Sequence, residues 1–336
     1  MHMSDSLLSP AVGGAFWLAA GGMISYSARK IAEEKDASKT ALMGVAGAFI
    51  FAAQMINFAI PGTGSSGHLG GGLILAVLLG PYRAFITLAS VLVIQCLFFA
   101  DGGLLALGCN IFNLAFFPAF IAYPYIYRTI TGKADSRTRL AAGCMTAAMA
   151  GLLMGAFSVV IQTTISGISD LPFTTFMLFM LPIHFAIGIV EGIATFFVLS
   201  YVRQVQPGIL HIHEEKWHPS RHILATFAVA AMLIGGVVSL YASSCPDGLE
   251  WSITKATGKE ELNQKDGGIQ KFLGTIQEKL AFLPDYSFKR YSKEESKYSE
   301  EIGTSASGLI GALMVFTLAG FAGLILRGRL RRTQDA

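Results

Sequence analysis

Long apolar runs broken by short polar segments dominate the chain from Pro10 onward. A helix needs about 20 mostly apolar residues to cross the hydrocarbon core of a bilayer. Runs of that kind occupy roughly residues 10–28, 41–60, 84–100, 104–127, 140–166, 173–202, 223–242 and 303–326. A further stretch, Leu69–Gly80, is apolar but short, and lies between the Gly-rich segment 62–72 and Pro81.

Basic residues decide whether that short stretch crosses. They cluster at Arg29, Lys30, Lys35 and Lys39, at Arg83, from Arg128 to Arg139, from Arg203 to Arg221 and from Arg327 to Arg332. Segments 61–68, 101–103 and 167–172 hold no Lys or Arg. If Leu69–Gly80 crosses, every basic cluster falls on one side, which the positive-inside rule makes the cytoplasmic one. The pattern therefore predicts an all-α polytopic membrane protein of about nine transmembrane helices. Its N-terminus is outside, its C-terminus is inside, and one small extracytoplasmic domain occupies 243–302. Long loops translocate largely regardless of charge, so the lysines of 243–302 are no obstacle. Pro246-Asp247-Gly248 marks a turn there, and about 60 residues make only a marginal core, so this domain is expected to lean on the membrane part or on a partner. The polar stretch 206–222 reads as a cytoplasmic linker between a seven-helix unit, 1–205, and a two-helix auxiliary unit, 223–336. The first ten residues carry no Lys or Arg, so no signal peptide is expected and the N-terminus should stay uncleaved.

Composition agrees. Of the 336 residues 53% are hydrophobic and 14% charged, against about a quarter charged in soluble proteins. A dispersed net charge of +3 gives no footprint for nucleic acid. The four cysteines form no CxxC pair, so neither a disulfide framework nor a thiolate metal site is supported. There is no GxxxxGK[ST] loop for ATP, and no Ser-His-Asp or Cys-His arrangement stands out. Energy for any transport must come from a gradient or from other subunits.

The N-terminus, MHMSDSLLSP, carries the first candidate chemistry. A free amine on Met1, the deprotonated His2 amide and the His2 ring Nδ1 can grip one metal through two small chelate rings. Three nitrogens in a plane suit a tetragonal ion such as Ni(II) or Cu(II). His68 is the histidine of the short outside loops and supplies a fourth ligand. Most proteins with histidine at position two hold nothing there; it is the pairing with His68 that gives the motif weight. Gly62, Gly64 and Gly67 match GxGxxG, but the match follows a membrane helix and faces outward, where a dinucleotide site needs a strand before it and a soluble helix after it. The glycines serve better as tight turns or for close backbone approach.

Other polar residues sit inside apolar runs. Gln54 and Asn57, one helical turn apart, are candidates for a shell supporting His68, or for interhelical hydrogen bonds. His184 and Glu191 lie two turns apart on one face, about 10 Å from each other. An intramembrane carboxylate is a functional candidate by default; His184 reads as a reserve ligand, and Glu191 as a structural partner for a neighbouring helix. His211, His213, His218 and His222 form an inside cluster where HxH spacing can bind metal, although polar linkers often contain histidines.

MHMSDSLLSP, AFIFAAQMINFAIPGTGSSGHLGGGL and FFADGGLLALGCNIFNLAFFP together resemble the CbiM/NikM family. Its members are the substrate-binding components of energy-coupling-factor ABC importers for cobalt and nickel. The resemblance spans about residues 1–205. From about 223, YASSCPDGLEWSI and FLPDYSF resemble the small CbiN/NikN partner, so the chain looks like a fusion of the two. The resemblance implies metal held by Met1, His2 and His68, with Ni2+ or Co2+ as transported substrate rather than catalytic cofactor. It implies a transmembrane coupling subunit and ATPase subunits as partners, and a prokaryotic plasma membrane as location. The imported metal would supply cobalamin synthesis or nickel enzymes. Family members often follow the first two residues with Ile-Pro-Asp-Gly or Ile-Met-Glu-Gly, whereas this chain has Met3-Ser4-Asp5-Ser6, which leaves the ligands intact and the metal preference open. Two other readings compete: a membrane metalloenzyme built on His184 and Glu191, and a gradient-driven secondary transporter, for which no inverted repeat is visible.

Overall fold

The computed structural model describes residues 1–34, 39–132, 136–206, 219–258, 268–288 and 297–332. The described chain is mostly helical, and five of its helices are long and apolar enough to cross a membrane: Pro81–Phe99, Leu107–Thr131, Arg137–Ser166, Phe173–Val205 and Glu301–Leu326. The order is α1 (Pro10–Glu34), α2 (Thr40–Gln54), β1 (Phe58–Ile60), β2 (Ser65–Gly67), α3 (Gly72–Leu79), α4 (Pro81–Phe99) and α5 (Leu107–Ile111). A π-helical stretch, Phe112–Tyr127, continues α5 into α6 (Arg128–Thr131). Then come α7 (Arg137–Ser166), α8 (Phe173–Val205), α9 (Arg221–Gly236), α10 (Gly248–Thr257), α11 (Gly268–Leu280) and α12 (Lys297–Arg332).

Every apolar run read from the sequence contains a helix, but several boundaries move. The run 41–60 stops being helical at Gln54, and Phe58–Ile60 pairs antiparallel with Ser65–Gly67, with Ala59 opposite Ser66. Pro61 cannot donate a backbone hydrogen bond, and Gly62 and Gly64 take φ of 77° and 74°, a left-handed backbone that glycine adopts without strain. The apolar triplet therefore becomes one arm of a hairpin. Within Leu69–Gly80 only Gly72–Leu79 is helical. Eight residues rise about 12 Å, well short of a bilayer core, and all eight are buried in protein. Gly80, at φ 85°, turns the chain, and Pro81 starts α4 at a first-turn position where its missing N–H costs nothing. Pro118 and Pro124 lie inside the π-helical stretch, whose wider hydrogen-bond register tolerates prolines that would break an α-helix.

α2, α3 and α4 form the buried centre. α8 and α12 lie outside it and keep large apolar side chains exposed, among them Leu178, Phe197, Leu313 and Phe321. That apolar outer surface suits lipid. α9 and α12 pack on α2 and on each other: a Cβ at Gly44 of α2 would lie 2.9 Å from the Phe316 carbonyl oxygen of α12, and one at Gly308 of α12 would lie 2.0 Å from that of Gly235 in α9. Segment 243–302, as far as it is described, leans on α4 and on the β1–β2 hairpin. The Leu283 amide donates to the Phe98 carbonyl at 3.3 Å, and Ser66 donates to Pro246 at 2.8 Å.

Candidate metal centre

The N-terminal segment is drawn into the protein, and Met1, Met3, Asp5, Leu7 and Leu8 are all buried. Main-chain groups of Met3 are satisfied by Asn110, whose Oδ1 accepts from the Met3 amide at 2.8 Å and whose Nδ2 donates to its carbonyl at 3.2 Å. Gly103 donates to that carbonyl too, at 2.9 Å. Asp5 accepts from the Ala106 amide at 3.0 Å. An added Cβ on Gly103 would stand 1.8 Å from the Asp5 carboxylate, so only glycine lets the segment through. These contacts fix residues 1–5 against the 101–106 loop.

Fixed there, the Met1 amine lies 3.2 Å from His68 Nε2. The His2 and His68 rings stack with centroids 5.2 Å apart, 6° from parallel. His68 Nδ1 faces the Leu69 carbonyl at 3.1 Å, which favours the tautomer with the proton on Nδ1 and the Nε2 lone pair turned to the amine. Burial pushes the His68 pKa down to about 3, helped by the neighbouring amine and His2. A neutral histidine is the form that binds metal. Among the described residues no cluster of three His, Cys, Asp or Glu side chains converges as a metal site; the nitrogen-rich group of Met1, His2 and His68 draws instead on main-chain nitrogens.

Two carboxylates flank the group. Asp247 Oδ2 accepts from the Met1 amine at 2.7 Å. Its other oxygen caps α10, accepting from the Leu249 and Glu250 amides at 2.8 Å each, and Glu250 completes a capping box. Asp101 Oδ1 pairs with His2 Nδ1 at 3.0 Å, and its Oδ2 accepts the Tyr286 hydroxyl. Burial alone would raise both carboxyls; the Met1 amine beside Asp247, and His2 and Tyr286 beside Asp101, hold them well below the usual carboxylate range instead. His2 Nδ1 thus faces Asp101, while Nε2 is buried and has no hydrogen-bond partner among the described residues.

The remaining candidates fall into place around the loop. Gln54 does not reach the His68 ring. It donates to the Gly70 carbonyl at 2.8 Å and accepts from Gln95 Nε2 at 2.8 Å. Asn57 lies beyond the end of α2 and so shares no helix face with Gln54; its carbonyl accepts from the Ser243 amide at 2.7 Å. Among the described residues Glu191 partners no helix side chain. Its two oxygens accept from the Gly70 and Gly71 amides at 2.9 and 3.0 Å, pinning the loop just after His68. His184 Nδ1 contacts the Met180 carbonyl at 2.8 Å, and its buried Nε2 has no hydrogen-bond partner among the described residues. Met1, His68, His184, Ile187, Asp247 and Gly248 line one cavity, which brings His184 to the edge of the site. His222 is exposed at the start of α9, while His211, His213 and His218 lie outside the described residues.

Sequence reasoning missed Asp101, Asp247, Asn110 and Tyr286. The one signal present was for Asp101, an acid in the short segment 101–103 between two apolar runs; the D-x-x-E pattern of Asp247 and Glu250 announces a helix cap and not a place at the site.

Fold and site define a helical membrane protein that turns its own N-terminus inward onto a loop histidine. The family profile described as "Cobalt uptake substrate-specific transmembrane region" matches residues 2–209, and that of the PDGLE domain matches 221–328. The chain belongs to this CbiM family, with a PDGLE unit following. It is 33% identical over 322 residues to a protein of Archaeoglobus fulgidus named as a fused nickel transport protein NikMN, covering 96% of this chain and 97% of that one. It is 27% identical to the fused nickel transport protein NikMN of Rhodobacter capsulatus, covering 80% and 81%, and 27% identical to the cobalt transport protein CbiM of Sorangium cellulosum, covering 62% and 94%. Among solved structures, a transition metal transporter aligns with a TM-score of 0.54 and 30% identity, over 63% of this chain and 96% of that one. These relatives are transport proteins, not enzymes.

Proposed function

We propose that this chain captures Ni(II) or Co(II) outside the cell as the substrate-binding component of an ATP-driven importer. The Met1 amine, the His2 amide and ring Nδ1, and His68 Nε2 are the ligands. The observation that carries the reading is the Met1 amine 3.2 Å from His68 Nε2, with the His2 ring stacked beside it. Planar nitrogen ligation suits Ni(II), and the fused relatives are named for nickel. On binding, the Met1 ammonium gives up its contact with Asp247 and one proton, the His2 amide gives up its proton, both protons pass to solvent, and the ring leaves Asp101.

The rest of the reading follows. Residues 1–205 form a seven-helix metal-binding unit, 206–222 a cytoplasmic linker and 223–336 the auxiliary unit. Nine crossings place the N-terminus and 243–302 outside and the C-terminus inside, in a prokaryotic plasma membrane. The distribution of basic residues supports this; the eight-residue α3 does not span a bilayer core by itself, and its burial makes it compatible with membrane depth, where short helices are tolerated if protein surrounds them. A transmembrane coupling subunit and ATPase subunits supply the energy. The metalloenzyme alternative loses ground because both Glu191 oxygens are engaged by main-chain amides. Nickel uptake by cells expressing the chain with and without the coupling and ATPase subunits tests the reading. Uptake should require all of them; uptake by the chain alone that collapses with an uncoupler would make it a secondary transporter.

A further inference from the structure

We propose that Tyr286, contributed by the appended unit, is a positioning residue for the metal site: it keeps the Asp101 carboxylate partnered when the His2 ring turns from Asp101 to the metal. The inference rests on the reading of His2 Nδ1 as a ligand. In the structure the two oxygens of Asp101 are divided between His2 Nδ1, at 3.0 Å, and the Tyr286 hydroxyl. A ring nitrogen cannot ligate a metal and donate to a carboxylate at once. Loading therefore strips Asp101 of one donor. A carboxylate left short of donors in a mostly buried place is costly, and the hydroxyl of Tyr286 remains to hold it.

The fold places that hydroxyl deliberately. The Tyr286 ring stacks on Phe99 with centroids 5.0 Å apart at 16°. Asp285 and Tyr286 have φ of 50° and 57°, a conformation that non-glycine residues rarely adopt. Contacts on both sides of Asp101 hold the segment down: Leu283 donates to the Phe98 carbonyl at 3.3 Å, and Gln277 Nε2 donates to that of Gly102 at 2.6 Å. The appended unit thus reaches the substrate site twice, at Met1 through Asp247 and at His2 through Tyr286 and Asp101.

The test is Ni(II) titration of the purified full chain with its native N-terminus, comparing wild type, Tyr286→Phe, Asp101→Asn and the double variant. Phenylalanine keeps the stack on Phe99 and removes only the hydroxyl, and melting curves confirm the fold. Tyr286→Phe should weaken Ni(II) binding about tenfold. Asp101→Asn, which has no charge to strand, should bind at least as tightly as wild type, and adding Tyr286→Phe to it should change affinity by less than about twofold. Unchanged binding in Tyr286→Phe, an equal loss in both backgrounds, or weakened binding in Asp101→Asn would overturn the proposal. His2→Ala separates the two layers. Wild-type retention in His2→Ala overturns the ligand reading and this inference with it. Loss in His2→Ala beside wild-type binding in Tyr286→Phe overturns this inference alone.

Discussion

Replacing Glu191 with alanine removes both acceptors from the Gly70 and Gly71 amides, which it holds at 2.9 and 3.0 Å. Both glycines are positions where the chain cannot rearrange cheaply. A Cβ at Gly70 would stand 3.0 Å from Glu191, and Gly71 has φ 73° with Ile50 at 2.6 Å from its would-be Cβ. Each buried amide left without an acceptor costs about 1–3 kcal/mol, so Glu191→Ala should destabilise the chain by about 2–6 kcal/mol. Relief of the buried charge places the outcome toward the lower end. Glu191→Gln keeps one acceptor and should lose about 1–3 kcal/mol. His68 lies two residues before this clamp, and Gln54 grips the same Gly70 peptide from the other side, so a loosened loop should release metal in step with the lost stability. Thermal unfolding in detergent and Ni(II) retention, measured on the same preparations, give both numbers. Wild-type stability in Glu191→Ala would refute the clamp. Retention lost at unchanged stability would show Glu191 to be a ligand itself.

Two other predictions follow from the packing and the charge pattern. Gly308→Ala should destabilise the contact between α9 and α12 by about 1–3 kcal/mol, because the added methyl meets the Gly235 carbonyl at 2.0 Å; an unchanged melting temperature would contradict that packing. In a background without native cysteines, Lys255→Cys should react with an impermeant thiol reagent from outside and Arg137→Cys should not. Outside labelling at Arg137 would overturn the nine-crossing topology.

The helices were legible because lipid and core demand the same thing of a sequence, an unbroken apolar run. Their ends were less so: Phe58-Ala59-Ile60 is as apolar as the helix before it, and only Pro61 and the two left-handed glycines turn it into a strand. The π-helical register of 112–127 leaves no periodic mark beyond the two prolines that it accommodates. At the candidate site, the pairing of His2 with His68 was legible because a chelate at position two would need a further nitrogen from another segment, and the structure brings the two rings to 5.2 Å. Asp247 was not, since it meets Met1 across 246 residues of chain and nothing local announces that proximity. Gln54 and Glu191 were recognised as polar residues needing partners, but their partners are main-chain groups, which every residue carries and no side-chain pattern reveals.

The central claim is that the free N-terminal amine binds the metal. Any residue added before Met1 converts that amine to an amide and displaces His2 from position two without altering a side chain. Ni(II) and Co(II) retained by purified protein should be compared between the native terminus and an uncleaved N-terminal extension, with His2→Ala and His68→Ala alongside. The account predicts that the extended protein loses its metal as completely as either histidine variant, while its helical content and melting temperature without metal stay near wild type. Metal retained by the extended protein as well as by the native one would contradict it.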